Sequence, residues 1–254
     1  MKDVLRYTVS PLALLLLWEL AVRLGAVDGR FFPAPSSIVL HMATDDIAQQ
    51  LLTETLASLR RLAIGFVVGG AAGFMAGLAM GLRRGVRAAG FPLIAMFYPL
   101  PKIALFPLVM LILGIGDASK IAVIALGSFF LLAIHVLRGV DQLNPQYFDL
   151  LRVFNISARD GLRFVVIPGT LPAVFTGLRL AIGYSLVMVV ATEFSGANNG
   201  IGYLIWQSWE IFALKTMYAG LFVIAALGIG FSYLLDVAER KAIRWHPPGG
   251  LRMG

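Results

Sequence analysis

Six long apolar stretches dominate this sequence, and a membrane-spanning helix needs about 20 mainly apolar residues. The six candidates are Tyr7–Leu24, Leu59–Leu82, Ala89–Leu113, Ala118–Arg138, Ala173–Phe194 and Thr216–Val237. The first is interpreted as a retained anchor rather than a secretory signal, because charges closely follow its apolar run and no convincing small-residue cleavage site is present. The pattern predicts an all-α polytopic membrane protein with about six transmembrane helices.

The composition agrees with a membrane protein and excludes several other classes. Hydrophobic residues make up 59% of the 254 and charged residues 14%, whereas soluble domains contain roughly 25% charged residues. The absence of cysteine excludes disulfides and thiol catalysis, and the three histidines are too scattered to form a ligand cluster. No paired carboxylates or nucleophile–base arrangement stands out. We therefore expect no catalytic, cofactor or metal site in this chain, and no nucleic-acid partner.

The basic residues indicate the orientation, since cytoplasmic loops are enriched in Lys and Arg. With the N-terminus inside, the cytoplasmic segments contain Lys2, Arg6, Arg83, Arg84, Arg87, Arg138, Arg152, Arg159, Arg163, Arg240, Lys241, Arg244 and Arg252. The opposite side contains Arg23, Arg30, Arg60, Arg61, Lys120 and Lys215. Both termini are therefore predicted to be cytoplasmic.

The chain is predicted to be one transmembrane domain, residues 1–254. Residues 1–58 form an anchor helix and an external amphipathic segment, and residues 59–240 form the core, which includes a cytoplasmic loop at 141–172. Apolar residues at helical spacing from Ile47 to Leu59 predict an amphipathic helix leading into the second span. An interfacial element and a simple lead-in turn are equally compatible with it.

Glycines recur at every fourth position of the second span, from Gly65 to Gly81. Residues four apart share one helix face, and small residues on such a face let helices approach closely in lipid. This face predicts tight helix packing rather than a substrate site.

The third span is predicted to be broken, because Pro99 and Pro101 lie near its middle. Lys102 would then lie near mid-membrane depth, where a cation suggests a transport pathway or a paired partner. A lysine that reaches an interface, or one neutralised by a carboxylate, is the structural alternative. Glu193, near the end of the fifth span, could line the pathway, pair with Lys102 or mark the water boundary.

The loop between spans four and five predicts two short helices. Asn144 and Pro145 suit the start of a helix that extends to Phe154. Asn155 tolerates the left-handed conformation that ends it. Ser157 then caps a second helix in a capping box with Asp160, and that helix, Ala158–Val166, is predicted to stop at Pro168.

The first of these helices contains more apolar side chains than one neighbour can cover. They are Tyr147, Phe148, Leu150, Leu151, Val153 and Phe154. An exposed apolar patch usually marks a partner surface, and an amphipathic helix in a groove is a standard way to bind one. A helix lying on lipid remains the alternative.

This loop resembles the Glu-Ala-Ala loop of ABC importer permeases. Asp149-Leu150-Leu151 stands at the acidic-Ala-Ala positions and Asn155 at the family glycine. Ile167-Pro168 and Leu171-Pro172 stand at the proline pairs, and Gly177-Leu178-Arg179 follows. Three further segments resemble the nitrate, sulfonate and taurine branch: residues 32–36, 101–105 and 114–120. Asp for Glu, leucines for alanines and Asn for Gly depart from the family pattern.

The resemblance implies a type I importer permease (MetI-like) fold, with a cytoplasmic coupling helix between spans four and five, in the bacterial inner membrane. It implies a homodimer of permeases, two ATPase subunits that bind ATP and Mg, and a periplasmic solute-binding protein. It also implies that the chain is not itself an enzyme, in keeping with the absence of a phosphate-binding loop. The candidate coupling residues are Asp149, Leu150, Leu151, Phe154, Asn155 and Ser157, and the candidate pathway residues are Lys102 and Glu193.

Two other functions are compatible with parts of the sequence. A secondary transporter usually contains internal repeats with broken helices in matching positions, and only one broken span is evident. A membrane scaffold would explain an exposed apolar helix and a glycine face without a pathway. Co-purification of an ATPase separates a permease from both. The cargo is expected to be a nitrate-, sulfonate- or taurine-like solute or a related small organic molecule.

Overall fold

A computed structural model describes residues 2–244, with side chains from residue 9 onward. The helices are α1 (Lys2–Arg23), α2 (Pro35–Met42), α3 (Asp45–Leu82), α4 (Arg84–Phe97), α5 (Phe106–Leu113), α6 (Asp117–Asp141), α7 (Pro145–Val153), α8 (Ala158–Gly161), α9 (Ile167–Phe194), α10 (Ile201–Glu210) and α11 (Leu214–Ala242). A 3₁₀ turn, Lys102–Leu105, precedes α5, and a π-helical segment, Leu162–Val166, precedes α9. No strand occurs within the described range. Arg252, used above for orientation, lies outside it, as do the side chains of Lys2 and Arg6.

Four continuous helices in the described part of the chain are long and apolar enough to cross a membrane: α3, α6, the combined helix Ala158–Phe194, and α11. The pair formed by α4 and Lys102–Leu113 gives a fifth span if it is counted as one. The first predicted span overlaps α1, whose leading side chains are not described, so the count of six stays a prediction.

The predicted break in the third span is confirmed. Helix α4 ends at Phe97, and the next helical segment leaves at an angle of 90°. Pro99 and Pro101 lie in the gap; each lacks a backbone donor and disfavours helical geometry in the residue before it. Lys102 begins the 3₁₀ turn immediately after the break.

By its contacts the chain divides into two compact units, described separately below. The first unit comprises Met1–Leu59 and Glu193–Ala226, and the second comprises Arg60–Thr192 and Leu227–Gly254. In the first unit, Trp18 of α1 packs against Tyr218 and Phe222 of α11 with ring centroids 5.5 and 6.0 Å apart. The Glu19 carboxylate also accepts hydrogen bonds from the backbone and hydroxyl of Ser36, at 3.0 and 2.7 Å. These contacts hold α1 against α11 and the start of α2.

In the second unit the glycine face of α3 packs directly on α6, as predicted. An added Cβ would lie 2.8 Å from Ile124 Cβ at Gly65 and 2.6 Å from Val140 Cβ at Gly81. Between these ends, Gly69, Gly73 and Gly77 face the backbone of α6 at similarly short range. The absence of side chains on this face is what lets the two helices approach so closely along five successive turns.

A buried apolar cluster holds the second unit together. Its buried members are Leu62, Phe106, Val123, Ile124, Ile182, Leu186, Met188 and Val189. Leu227, Phe231 and Leu235 of α11 pack against it, and their four-residue spacing places them on one face of that helix. Helices α3, α5, α6, α9 and α11 therefore share one core.

The helix that begins at Ala158 does not stop at Pro168, contrary to the prediction. It continues through the π segment Leu162–Val166 into α9, so that residues 158–194 form one helical rod. Pro168 lacks the N–H of a normal helical bond, and local π adjustments are a known way for membrane helices to absorb a proline. The prediction treated this proline as a terminator, whereas a change of helical register accommodates it.

Candidate functional site

The two-helix segment between α6 and α9 has the local caps that the sequence predicts. Asn144 Oδ1 accepts a hydrogen bond from Gln146 N at 3.0 Å. Ser157 Oγ accepts one from Asp160 N at 3.2 Å and donates to Asp160 Oδ2 at 2.6 Å. Asn155 adopts a φ of 52°, in the left-handed region. These three features are confirmed, and together they fix the turn between α7 and α8. We call residues 144–161, which comprise both helices and this turn, the coupling segment.

One side of α7 packs inward on the second unit. Phe148 is half-buried against a cluster that includes Leu78, Val140 and Val174. Leu151 is half-buried and contacts Gly161, where an added Cβ would lie 2.9 Å from Leu151 Cδ1. Leu151 therefore differs from the other candidate coupling residues, because it joins α7 to α8 instead of facing outward.

The other side of α7 is an exposed apolar surface. Leu150 is 51% exposed and Phe154 71% exposed. Tyr147 and Val153 are also exposed and each lies three positions from Leu150, while Phe154 lies four positions from it, so that the four side chains surround Leu150 on one side of the helix. We call these four residues the α7 apolar face. Tyr147 and Val153 were not among the candidate coupling residues, although their spacing of three residues from Leu150 is the signal that identifies them.

The remaining candidate coupling residues also lie at the surface. Asp149 is exposed and pairs with Arg152 one turn later, with 3.4 Å between Oδ1 and Nη1. Such an exposed pair contributes little to stability. Asn155 and Ser157 are exposed in the turn. The coupling segment thus presents an apolar face beside a polar edge, while its inward side chains attach it to the second unit.

Lys102 is buried at the break of the third span. Its ammonium donates a hydrogen bond to the carbonyl of Tyr98, the residue that caps α4. It also lies over the rings of Tyr98 and Phe130, 5.2 and 5.1 Å from their centroids. With 6% of the residue exposed, the side chain is buried within the chain against this carbonyl and these two rings. Whether Lys102 belongs to a transport pathway stays a prediction.

The position of Lys102 has a physical reason. Pro99 and Pro101 cannot donate to the last carbonyls of α4, and a cation at a helix C-terminus satisfies them and interacts favourably with the helix dipole. The aromatic rings supply further stabilisation to a desolvated ammonium. Lys102 therefore stabilises the bend of the broken span.

Glu193 is fully buried in the first unit and has defined partners. Its carboxylate accepts from Ser58 Oγ, 2.8 Å from each oxygen, and from Gly202 N at 2.9 Å. Ser58 Oγ in turn accepts from Ile201 N at 2.8 Å. No part of the residue is exposed. Its predicted roles, lining the pathway, pairing with Lys102 or marking the water boundary, stay predictions.

These bonds cap the start of α10. A helix begins with backbone N–H groups that lack partners within the helix, and here Glu54, Ser58 and Glu193 accept from Gly200, Ile201 and Gly202. Gly200 has a φ of 116° and lies so close to the Glu193 carboxylate that a Cβ would collide with it. Glycine is therefore required at this position, and α10 is attached to α3 and α9 through buried polar groups.

Within residues 2–244 no group of three His, Asp or Glu side chains is placed to hold a metal ion. An apolar cavity of about 330 Å³ lies in the second unit, lined by α3 residues that include Phe66 and Phe74, and by Leu132 and Leu178. Its apolar lining offers no acid, base or nucleophile for chemistry. The features that bear on function are therefore the exposed coupling segment and the buried side chains of Lys102 and Glu193.

A family model described as "Binding-protein-dependent transport system inner membrane component" matches residues 69–244 of this chain. The match includes the coupling segment and all helices from the middle of α3 to the end of α11. It therefore covers well over half of the sequence.

Three relatives with named functions align with almost the whole chain. The taurine transport system permease protein TauC of Escherichia coli is 31% identical over 245 residues, which are 94% of this chain and 89% of the relative. A protein of the same organism named as an aliphatic sulfonates transport permease, SsuC, is 31% identical over 93% of this chain and 90% of its own length. The formylaminopyrimidine transport permease protein ThiX of Halalkalibacterium halodurans is 31% identical over 94% of both chains.

Solved structures show the same fold. A chain of the MetNI methionine ABC transporter in an inward-facing conformation superposes with a TM-score of 0.57 at 21% identity, over 79% of this chain and 98% of the other. A chain of an amino acid ABC transporter gives a TM-score of 0.57 at 16% identity, over 77% and 95%. The type I importer architecture expected from the sequence agrees with both.

Proposed function

Because the chain belongs to the family of binding-protein-dependent transport system inner membrane components, we propose that its α7 apolar face docks on a separate ATPase subunit and transmits ATP hydrolysis to transport. The protein is the permease subunit of an ABC importer and a component of the inner membrane. ATPase and solute-binding subunits are the partners that this family implies. The proposal concerns how this chain contacts them.

The exposure of the α7 apolar face is the observation that supports docking. Leu150 is 51% exposed, Val153 76% and Phe154 71%, although Phe148 and Leu151 on the same short helix are directed inward. Contiguous apolar side chains exposed on a rigid helix usually mark an interaction site, and a helix with such a face fits a hydrophobic groove. The capped turn at Asn155 and Ser157 holds this face in a defined orientation.

The proposed assembly contains two copies of this chain and two ATPase subunits, with one coupling segment seated on each. ATP and Mg²⁺ bind to the ATPase, since this sequence contains no phosphate-binding loop. Both termini and the coupling segment face the cytoplasm, in agreement with the distribution of Lys and Arg. A periplasmic solute-binding protein delivers the cargo on the opposite side.

We propose a small sulfonate, such as taurine or an aliphatic sulfonate, as the cargo class. The names of TauC and SsuC support this choice. The name of ThiX makes a formylaminopyrimidine the principal alternative cargo. Lys102 and Glu193 remain the candidate pathway residues. Uptake of labelled taurine into proteoliposomes, with unlabelled sulfonates and pyrimidines as competitors, tests the cargo class separately from the coupling surface.

A single substitution on the α7 apolar face tests the docking proposal. Leu150→Asp places a charge on a half-exposed side chain, so the fold is retained while the apolar contact with the ATPase is lost. Leu150→Met is the matched control, because it keeps an apolar side chain of similar volume. The readouts are ATPase co-purification, ATP hydrolysis stimulated by the loaded binding protein, and cargo uptake in proteoliposomes.

We expect Leu150→Met to behave as the wild type. Leu150→Asp should reduce uptake and stimulated hydrolysis at least tenfold, with an unchanged thermal midpoint of the isolated permease. A Leu150→Asp complex that assembles normally and transports with wild-type coupling would refute the proposed role of this face. If Leu150→Asp lowers the thermal midpoint of the isolated permease, Leu150 would be assigned to folding, and this result would equally count against the proposal.

A further inference from the structure

One arginine joins two spanning helices of the second unit through a pair of carboxylates. Arg179 of α9 donates from Nη2 to Asp236 Oδ1 at 2.6 Å and to Glu239 Oε2 at 2.8 Å. Asp236 and Glu239 are three residues apart on α11 and therefore share a face. We call these three side chains the Arg179 clamp.

The clamp favours the present arrangement of α9 and α11. Ionisable side chains within spanning helices are expensive and usually pair with one another or face a polar cavity. The side chains of the clamp are between 30% and 46% exposed, and one cation serves both carboxylates. Moving α11 away from α9 would therefore leave a cation and two carboxylates without their present partners in or beside the bilayer.

The clamp adds direction to an otherwise apolar contact between these helices. Leu227, Phe231 and Leu235 of α11 pack on the cluster that contains Ile182 and Leu186 of α9. Apolar packing is non-directional, so it permits small sliding and rotation of one helix on the other. Charge-assisted hydrogen bonds have strict geometry, and those of Arg179 begin one residue beyond Leu235. They define the register between the helices.

Arg179 also lies on the same rod as part of the coupling segment. Residues 158–194 form one helix without an intervening loop, and Leu151 contacts Gly161 within it. A displacement of α7 and α8 therefore moves α9 directly, and with it the guanidinium of Arg179.

We propose that Arg179 is a positioning residue for transport, whose ion pairs make α11 move together with α9 when the ATPase displaces the coupling segment. This inference rests on the proposed coupling function. Without the clamp, α9 would still respond to the ATPase while α11 would follow incompletely. ATP hydrolysis would then continue with reduced transport.

Charge exchange tests the clamp. Arg179→Glu places three carboxylates together and should separate the helices. Arg179→Glu combined with Asp236→Arg again places one cation between two carboxylates, now with the cation on α11. Lys241→Glu is the matched control, because it makes the same change of net charge at an exposed position two residues beyond the clamp.

The measurement is cargo uptake per ATP hydrolysed in proteoliposomes containing the permease, the ATPase and the binding protein. We expect Arg179→Glu to lower this ratio at least tenfold while hydrolysis stays within twofold of wild type. The exchanged pair should recover at least half of the ratio, and Lys241→Glu should leave it unchanged. Wild-type coupling in Arg179→Glu, or no recovery in the exchanged pair, would overturn the proposal.

Cross-linking provides a second measurement that does not depend on the proposed docking surface or on the folding of the charge variants. The chain contains no cysteine, so Thr176→Cys with Arg240→Cys introduces only two thiols, one on each helix. With a short bis-maleimide, the intrachain cross-linking yield should be equal in nucleotide-free and ATP-trapped complexes. A yield that differs between the two states would show that α9 and α11 move independently, and would refute the clamp even if the ATPase docks as proposed.

Discussion

The close approach of α3 to α6 predicts that Gly69→Ala destabilises the protein through backbone collision. A Cβ at Gly69 would lie 2.6 Å from both the Cα and the carbonyl carbon of Ala125, and closer still to the carbonyl oxygen. Because these are backbone atoms of a packed helix, no side-chain rotation can relieve the contact.

The size of the effect follows from the geometry. Reaching an ordinary contact distance of 3.4 Å from Ala125 Cα alone requires the helices to separate by about 0.8 Å, and the closer carbonyl oxygen requires more. Overpacking of this kind costs about 1–3 kcal/mol, and the better helix propensity of alanine offsets at most about 1 kcal/mol of it. Subtracting that offset from the overpacking cost leaves an expected net loss of up to about 2 kcal/mol.

The neighbouring glycine is a matched control. At Gly70 an added Cβ would meet only Leu132 Cδ2, at 3.6 Å, which is an ordinary van der Waals contact with a flexible side chain. Gly70→Ala should leave the stability of the purified permease unchanged or slightly raised. Both variants can be compared with wild type by thermal unfolding in one detergent. If Gly69→Ala unfolds at the same temperature as Gly70→Ala, the inferred backbone contact between α3 and α6 is wrong.

Three further substitutions test individual sites. Asn155→Val should lower the free energy of unfolding by about 1–2 kcal/mol, because a β-branched residue is strained at a φ of 52°. Asn155→Gly should not lower it, and equal thermal midpoints for the two variants would contradict this prediction. Ser58→Ala should cost about 1–3 kcal/mol, since the buried N–H of Ile201 loses its acceptor; a midpoint equal to wild type would count against the capping of α10. Lys102→Met should reduce sulfonate uptake while ATPase assembly persists, and unchanged uptake would assign Lys102 to the bend alone.

Local features of this chain were predictable because they depend on neighbouring residues. The caps at Asn144 and Ser157 and the left-handed Asn155 each involve atoms within three residues, and all are present. The break at Pro99 and Pro101 follows from the chemistry of proline itself. The glycine face was predictable for the same reason, since helical periodicity alone places residues four apart on one side.

Other features depended on structural surroundings that sequence patterns do not reveal. Pro168 was expected to end a helix, and only the helix around it shows that a π segment absorbs the missing donor. Lys102 and Glu193 were recognised as unusual, but the alternatives could not be separated without their surroundings. The carbonyl and rings that hold Lys102, and the hydroxyl and backbone N–H groups that hold Glu193, come from other turns or other helices.

The sequence by itself determined that the protein belongs in a lipid bilayer, because its apolar stretches are long enough to span one. It also determined the local geometry, through the residues that start, stop or bend helices. Which side of α7 is exposed, and which carboxylates bind Arg179, was decided only by the tertiary structure. The physical reason is range. Helix periodicity and capping act over a few residues, whereas burial and ion pairing depend on which distant helix lies alongside.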